Sequence, residues 1–116
     1  MLTIEKLKAY GANVQEGLGR LFNNEAFYLK IAGMCLVDPN FDRLKKAMEE
    51  RDAAEAFNAA HALKGSTGNL SLTPIYNPVC QLTEGLRGKS EISDECDQLM
   101  NTIMSELDKL RKLAAD

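Results

Sequence analysis

Apolar residues recur at steps of three and four from one end of this chain to the other, and no long stretch alternates one by one. That pattern constrains the fold more than any other feature. A period near 3.6 buries one face of a helix, whereas a half-buried strand needs a period of 2. No segment combines alternating Val, Ile, Thr and aromatics, and neither Asn-Gly nor Asp-Gly occurs to close a hairpin. Breakers divide the pattern into pieces. A short helix over Ile4 to Tyr10 stops at Gly11, and a second, over Val14 to Phe22, is weakened by Gly17 and Gly19. Asn24 can cap a helix to about Leu36, with Phe27, Ile31, Met34 and Cys35 at helical spacing. Asp38-Pro39 then restarts the chain, placing Phe41, Leu44 and Met48 on one face.

The second half reads the same way. Asp52 caps a helix from Ala53 to about Leu70, whose stripe is Ala53, Ala56, Phe57, Ala60, Leu63, Thr67 and Leu70. Thr73-Pro74 looks like a cap followed by a first-turn proline, and Ile75, Val79, Leu82 and Leu86 continue the spacing. Pro78 leaves open whether that helix starts there or at Asn77-Pro78. Gly88 stops it. Ser93 caps a last helix to about Ala114, with Cys96, Leu99, Met100, Ile103, Leu107 and Leu110 inward. Its acids, Asp94 and Glu95, sit at the start, and Lys109, Arg111 and Lys112 sit near the end, as the helix dipole prefers. With 116 residues, one domain over 1–116 is expected. The expected fold is all-α: an antiparallel four-helix bundle with one or two short additional N-terminal helices.

Composition narrows the function. A net charge of -3 lacks the basic footprint of a nucleic-acid binder. No apolar run approaches the roughly 18 residues of a membrane span, and no charged start leads into an apolar stretch as in a secretory signal. Cys35, Cys80 and Cys96 are far apart and form no Cys-x-x-Cys pair, which fits a reducing cytoplasm better than a disulfide framework. A bundle of this length can close its own core, so a monomer is expected. The initiator-like Met1 suggests a free-standing module.

Local rules are broken in one place. The helix from Ala53 to Leu70 carries Gly65 and Gly68, each costing about 1 kcal/mol relative to Ala in a helix interior. It also carries the only histidine, His61, and Lys64 one turn later. At about 100° per residue, these four fall on one face, about 110° from the apolar stripe. That face lies on the flank of a bundle. A neutral imidazole nitrogen there can act as a nucleophile, and Lys64 can offset charge on a phosphoryl group that it accepts. Gly65 and Gly68 clear the surface beside His61, where another protein would approach. Taken singly, each has a blander reading: a surface histidine, a solvated lysine, glycines for close helix packing. Their shared face gives them a joint one.

The stretch His61-Ala62-Leu63-Lys64-Gly65-Ser66-Thr67-Gly68-Asn69-Leu70 resembles the signature of histidine-containing phosphotransfer (HPt) domains: His-x-Leu-Lys-Gly, a small pair, Gly and an apolar residue. Two departures stand out. Ser71 replaces a second Gly often found there, and Pro78 interrupts the following helix. Members often place a Gln near the histidine on that helix; here the candidates are Gln81, Thr83 and Glu84, with Thr83 closest in register.

The resemblance implies a phosphorelay carrier without kinase activity of its own. His61 would be the phospho-acceptor, Lys64 its charge partner, and Gly65 and Gly68 the docking surface. Partners would be response-regulator receiver domains and a hybrid histidine kinase. Magnesium would sit on the receiver, the carrier needing no cofactor. Competing readings are a docking or inhibitory module that binds a receiver without transfer, a metal site joining His61 to a cysteine, and a Met-lined ligand cavity. One imidazole and scattered cysteines suit a metal poorly, and the methionines read as core filling.

Overall fold

The computed structural model describes residues 1–116 as seven helices without a strand. They are α1 (Ile4–Tyr10), α2 (Val14–Arg20), α3 (Glu25–Leu36), α4 (Asn40–Glu49), α5 (Ala53–Asn69), α6 (Thr73–Leu86) and α7 (Asp94–Ala115). The four long C-terminal helices, α4 to α7, make the antiparallel bundle. α5 packs between α4 and α6, and α6 packs on α7. Met48 of α4 and Met100 and Met104 of α7 line a common cleft on the remaining side. Connections of three residues, 50–52 and 70–72, force neighbouring helices to run antiparallel.

Most boundaries follow the local chemistry. Thr3, Asn13, Asn24, Asp52 and Ser93 each accept a first-turn backbone N–H, satisfying a donor that would otherwise lack a partner. Gly11, at φ +111°, ends α1 in the left-handed region that glycine enters without penalty. α6 starts at Thr73, so Thr73 lies inside the first turn and is not its cap; its hydroxyl donates to Ser71 O at 3.3 Å. Pro78 is buried within α6 and removes one backbone bond, the one that would reach the Pro74 carbonyl.

The core joins all seven helices through a set that includes Leu7, Leu44, Leu63, Leu70, Ile75, Leu82, Ile103 and Leu107, all essentially without solvent contact. α3 departs from expectation. Tyr28, Ala32, Cys35 and Leu36 face inward, while Phe27 is partly exposed and Met34 is 57% exposed. Apolar residues surround this helix on every side, so their period cannot choose a face. Tyr28 wins the inward position because its hydroxyl donates to the Leu70 carbonyl at 2.8 Å. α3 also lies along α7, where Arg111 Nε donates to Leu36 O at 3.0 Å.

Candidate phosphoryl-acceptor site

The site is built on the exposed side of α5. His61 is solvent-exposed, and Lys64, one turn on, is partly covered. His61 stacks on Phe57, one turn earlier, with ring centroids 5.6 Å apart and planes 13° from parallel. The spacing of four residues brings two rings on one helix into register, and the contact orients the imidazole while leaving its nitrogens free of any protein hydrogen bond.

Neighbouring elements supply charge. Lys64 Nζ lies 3.9 Å from Glu84 of α6, and Arg87, just past the end of that helix, makes two contacts of 3.0 Å to the same carboxylate. The Arg87 guanidinium also sits 5.0 Å over the Phe57 ring. The Glu84 carboxyl is held below the usual range by Arg87 first, through hydrogen bonding and charge, and then by Lys64 and His61. Of the three candidates on α6, Glu84 is therefore the one that reaches the site. Thr83, the closer in register by sequence, is fully buried and donates to Val79 O at 2.7 Å, and Gln81 points to solvent.

The two glycines behave differently. A Cβ on Gly65 would meet nothing within 4 Å, so the surface beside His61 is open there. A Cβ on Gly68 would lie 2.6 Å from the Tyr76 ring. The expected clear surface stops at Gly65, and Gly68 is glycine because an aromatic ring of α6 packs on its backbone. His61, Lys64, Gly65, Gly68, Asn69 and Tyr76 line one open depression together with Arg20 of α2, which sequence reasoning did not place there. On the far side of Gly65 an apolar groove of ≈ 720 Å³ runs between α3 and α5, lined by Ile31, Met34, Val37 and Ser66 among others.

Arg20 belongs to a clamp on the C-terminal end of α5. Ser71 stands at φ +53°, in the left-handed region, and the N–H groups of Ser71 and Leu72 return to Gly68 O and Thr67 O at 3.0 and 3.1 Å. This double return is a Schellman ending, normally made with glycine. Here the Ser71 hydroxyl offsets part of the backbone strain. It donates to Glu16 at 2.6 Å and lies 2.6 Å from Arg20, which also donates to Gly68 O at 3.0 Å. The family's frequent glycine at this position thus has a physical substitute supplied by α2.

Nowhere do three His, Cys, Asp or Glu side chains converge as a metal site would require. Cys35 and Cys96 are buried, and burial pushes the Cys35 thiol up to about 11. No helix is long and apolar enough to cross a membrane.

Compared with protein-family models, residues 37–113 match the Hpt domain, and the match covers the four-helix bundle except the last two residues of α7. Comparison with curated proteins and with solved structures gave no match. The chain belongs to the Hpt domain family, whose members are phosphocarriers of phosphorelays rather than kinases. α1, α2 and α3 lie outside the matched residues.

Proposed function

We propose that this protein is a phosphorelay intermediate that takes a phosphoryl group from the aspartyl phosphate of a receiver domain, holds it on His61 and passes it to another receiver. The observation that carries this reading is an exposed imidazole on the central helix of an Hpt bundle, with an unobstructed surface at Gly65 and a lysine one turn away.

In the loading step a lone pair on a ring nitrogen of His61, taken as Nε2, forms the N–P bond in line with the departing carboxylate. The P–O bond to the aspartyl group breaks, and its electron pair leaves on the carboxylate. The imidazole N–H proton is released to solvent. Lys64 stabilises charge on the equatorial oxygens as a point cation. Magnesium and the acceptor carboxylate belong to the receiver. Unloading reverses these steps on a second receiver. Donor and acceptor are then receiver domains, one of them able to belong to a hybrid kinase, and the protein acts in the cytoplasm as a monomer.

Incubation with a panel of phosphorylated receivers tests this. Acid-labile, base-stable label should appear on the wild-type chain and be lost in His61→Gln. Label that persists in His61→Gln overturns the assignment. Absence of label from every receiver, with binding retained, leaves a docking module in its place.

A further inference from the structure

Four side chains form a linked chain beside His61: His61 stacks on Phe57, Arg87 covers Phe57, Glu84 holds Arg87, and Lys64 of the histidine's own helix approaches Glu84. Resting on the reading of His61 as phospho-acceptor, we propose that Glu84 is a built-in competitor for the phosphoryl group, engaging Lys64 and Arg87 and giving up Lys64 when an incoming phosphoryl group takes its place.

Charge balance carries the argument. Lys64 and Arg87 contribute two positive charges, and Glu84 one negative charge. Around an unmodified, neutral imidazole the set therefore carries one net positive charge. A phosphoryl group adds about two negative charges. With Glu84 in place the loaded site carries an excess negative charge, whereas without it the two cations would balance the phosphoryl group. Glu84 therefore disfavours the loaded state, a useful bias for a carrier that must give its cargo away.

Geometry allows the exchange. Lys64 and Glu84 are only loosely paired, at 3.9 Å, with side chains 34% and 56% exposed, so a lysine stem can turn from one anion to the other without disturbing the core. Arg87 keeps the carboxylate nearby through two shorter contacts. Glu84 is thus a positioning residue, acting on the phosphoryl group through the cations it engages.

The test needs no receiver. Potassium phosphoramidate is a small anionic donor: a His61 nitrogen forms the N–P bond, the donor's own P–N bond breaks, and ammonia leaves with the imidazole proton as ammonium. Loading followed by ³¹P NMR should run roughly three- to fivefold faster in Glu84→Gln than in wild type, the scale of one partly exposed charge interaction. The gap should shrink in about 1 M salt, where such interactions are screened. A glutamine still hydrogen-bonds Arg87, so a purely structural role for Glu84 would leave the rate alone. Equal rates, or a gap indifferent to salt, overturn the competitor while leaving His61 as acceptor. Failure of the wild type to load at His61 overturns both.

Discussion

Two stretches of α5, one turn apart, are held in opposite ways. Around His61 to Gly65 the surface is open, and the polar contacts are exposed ion pairs reaching from α6 and its C-terminal end. From Gly68 to Leu72 the backbone is locked: a left-handed Ser71, two returning N–H groups, the Tyr28 hydroxyl on Leu70 O, and Arg20 on Gly68 O. Exposed pairs contribute about 0–1 kcal/mol each, whereas breaking a buried hydrogen bond costs about 1–3 kcal/mol. The difference teaches that the clamp fixes where α5 stands, while the reactive half keeps side chains that can change partners. A helix that must accept and release a group can afford loose charges only if its backbone is anchored elsewhere.

The strongest way to break this contrast is at Gly17. A Cβ there would lie 2.6 Å from Leu70 O and 2.7 Å from the Tyr28 ring, one a backbone atom and the other the ring that supports it. Gly17→Ala should lose about 2 kcal/mol, crowding of about 3 kcal/mol being offset by about 1 kcal/mol of helix propensity. Urea unfolding measures it. A variant as stable as wild type would mean that α2 yields freely and does not anchor the helix end.

A smaller perturbation removes one atom from the clamp. Tyr28→Phe deletes the hydroxyl that serves Leu70 O and should cost about 1 kcal/mol near neutral pH. Burial pushes the Tyr28 hydroxyl up to about 12 from its ordinary 10. The folded state thus keeps a proton that the unfolded chain sheds above about pH 10, and the unfolded state binds fewer protons in that window. Wild-type stability must fall as pH rises from 10 towards 12, and Tyr28→Phe lacks that contribution. The gap between the two proteins should therefore narrow with rising pH in denaturant titrations. A constant gap would show that the phenol already reaches water.

How much of this was legible in the sequence depends on whether a neighbour decides the outcome. The helical period, the caps Asn24, Asp52 and Ser93, and the exposed face carrying His61 all depend on residues within a turn or two, and spacing alone locates them. The inward face of α3 was not legible, because apolar residues surround that helix and only Leu70 O selects Tyr28. Gly65 and Gly68 share a face by spacing, yet only the position of Tyr76 on α6 separates an open surface from a packed one. Glu84 displaced Thr83 for a similar reason: register along α6 counts residues, whereas the side chain that reaches α5 is set by how the two helices are rotated against each other. Arg20 was invisible, lying far from the motif in sequence and reaching the site only through the fold.

The mildest change sharpens the contrast from the open side. Gly65→Ala adds a methyl group where nothing lies within 4 Å, and it replaces a residue that weakens a helix interior. The variant should therefore be more stable than wild type by about 0.5–1 kcal/mol, read as a rise in denaturation midpoint. If Gly65 is kept bare so that a receiver can approach His61, the same variant should take label from phosphorylated receivers more slowly, while loading from phosphoramidate, which needs little room, stays near the wild-type rate. Stability gained with receiver transfer reduced would mark Gly65 as a place where helix strength gives way to access. Stability gained with both donors unaffected would make that glycine irrelevant to docking and move the contact surface toward the apolar groove between α3 and α5.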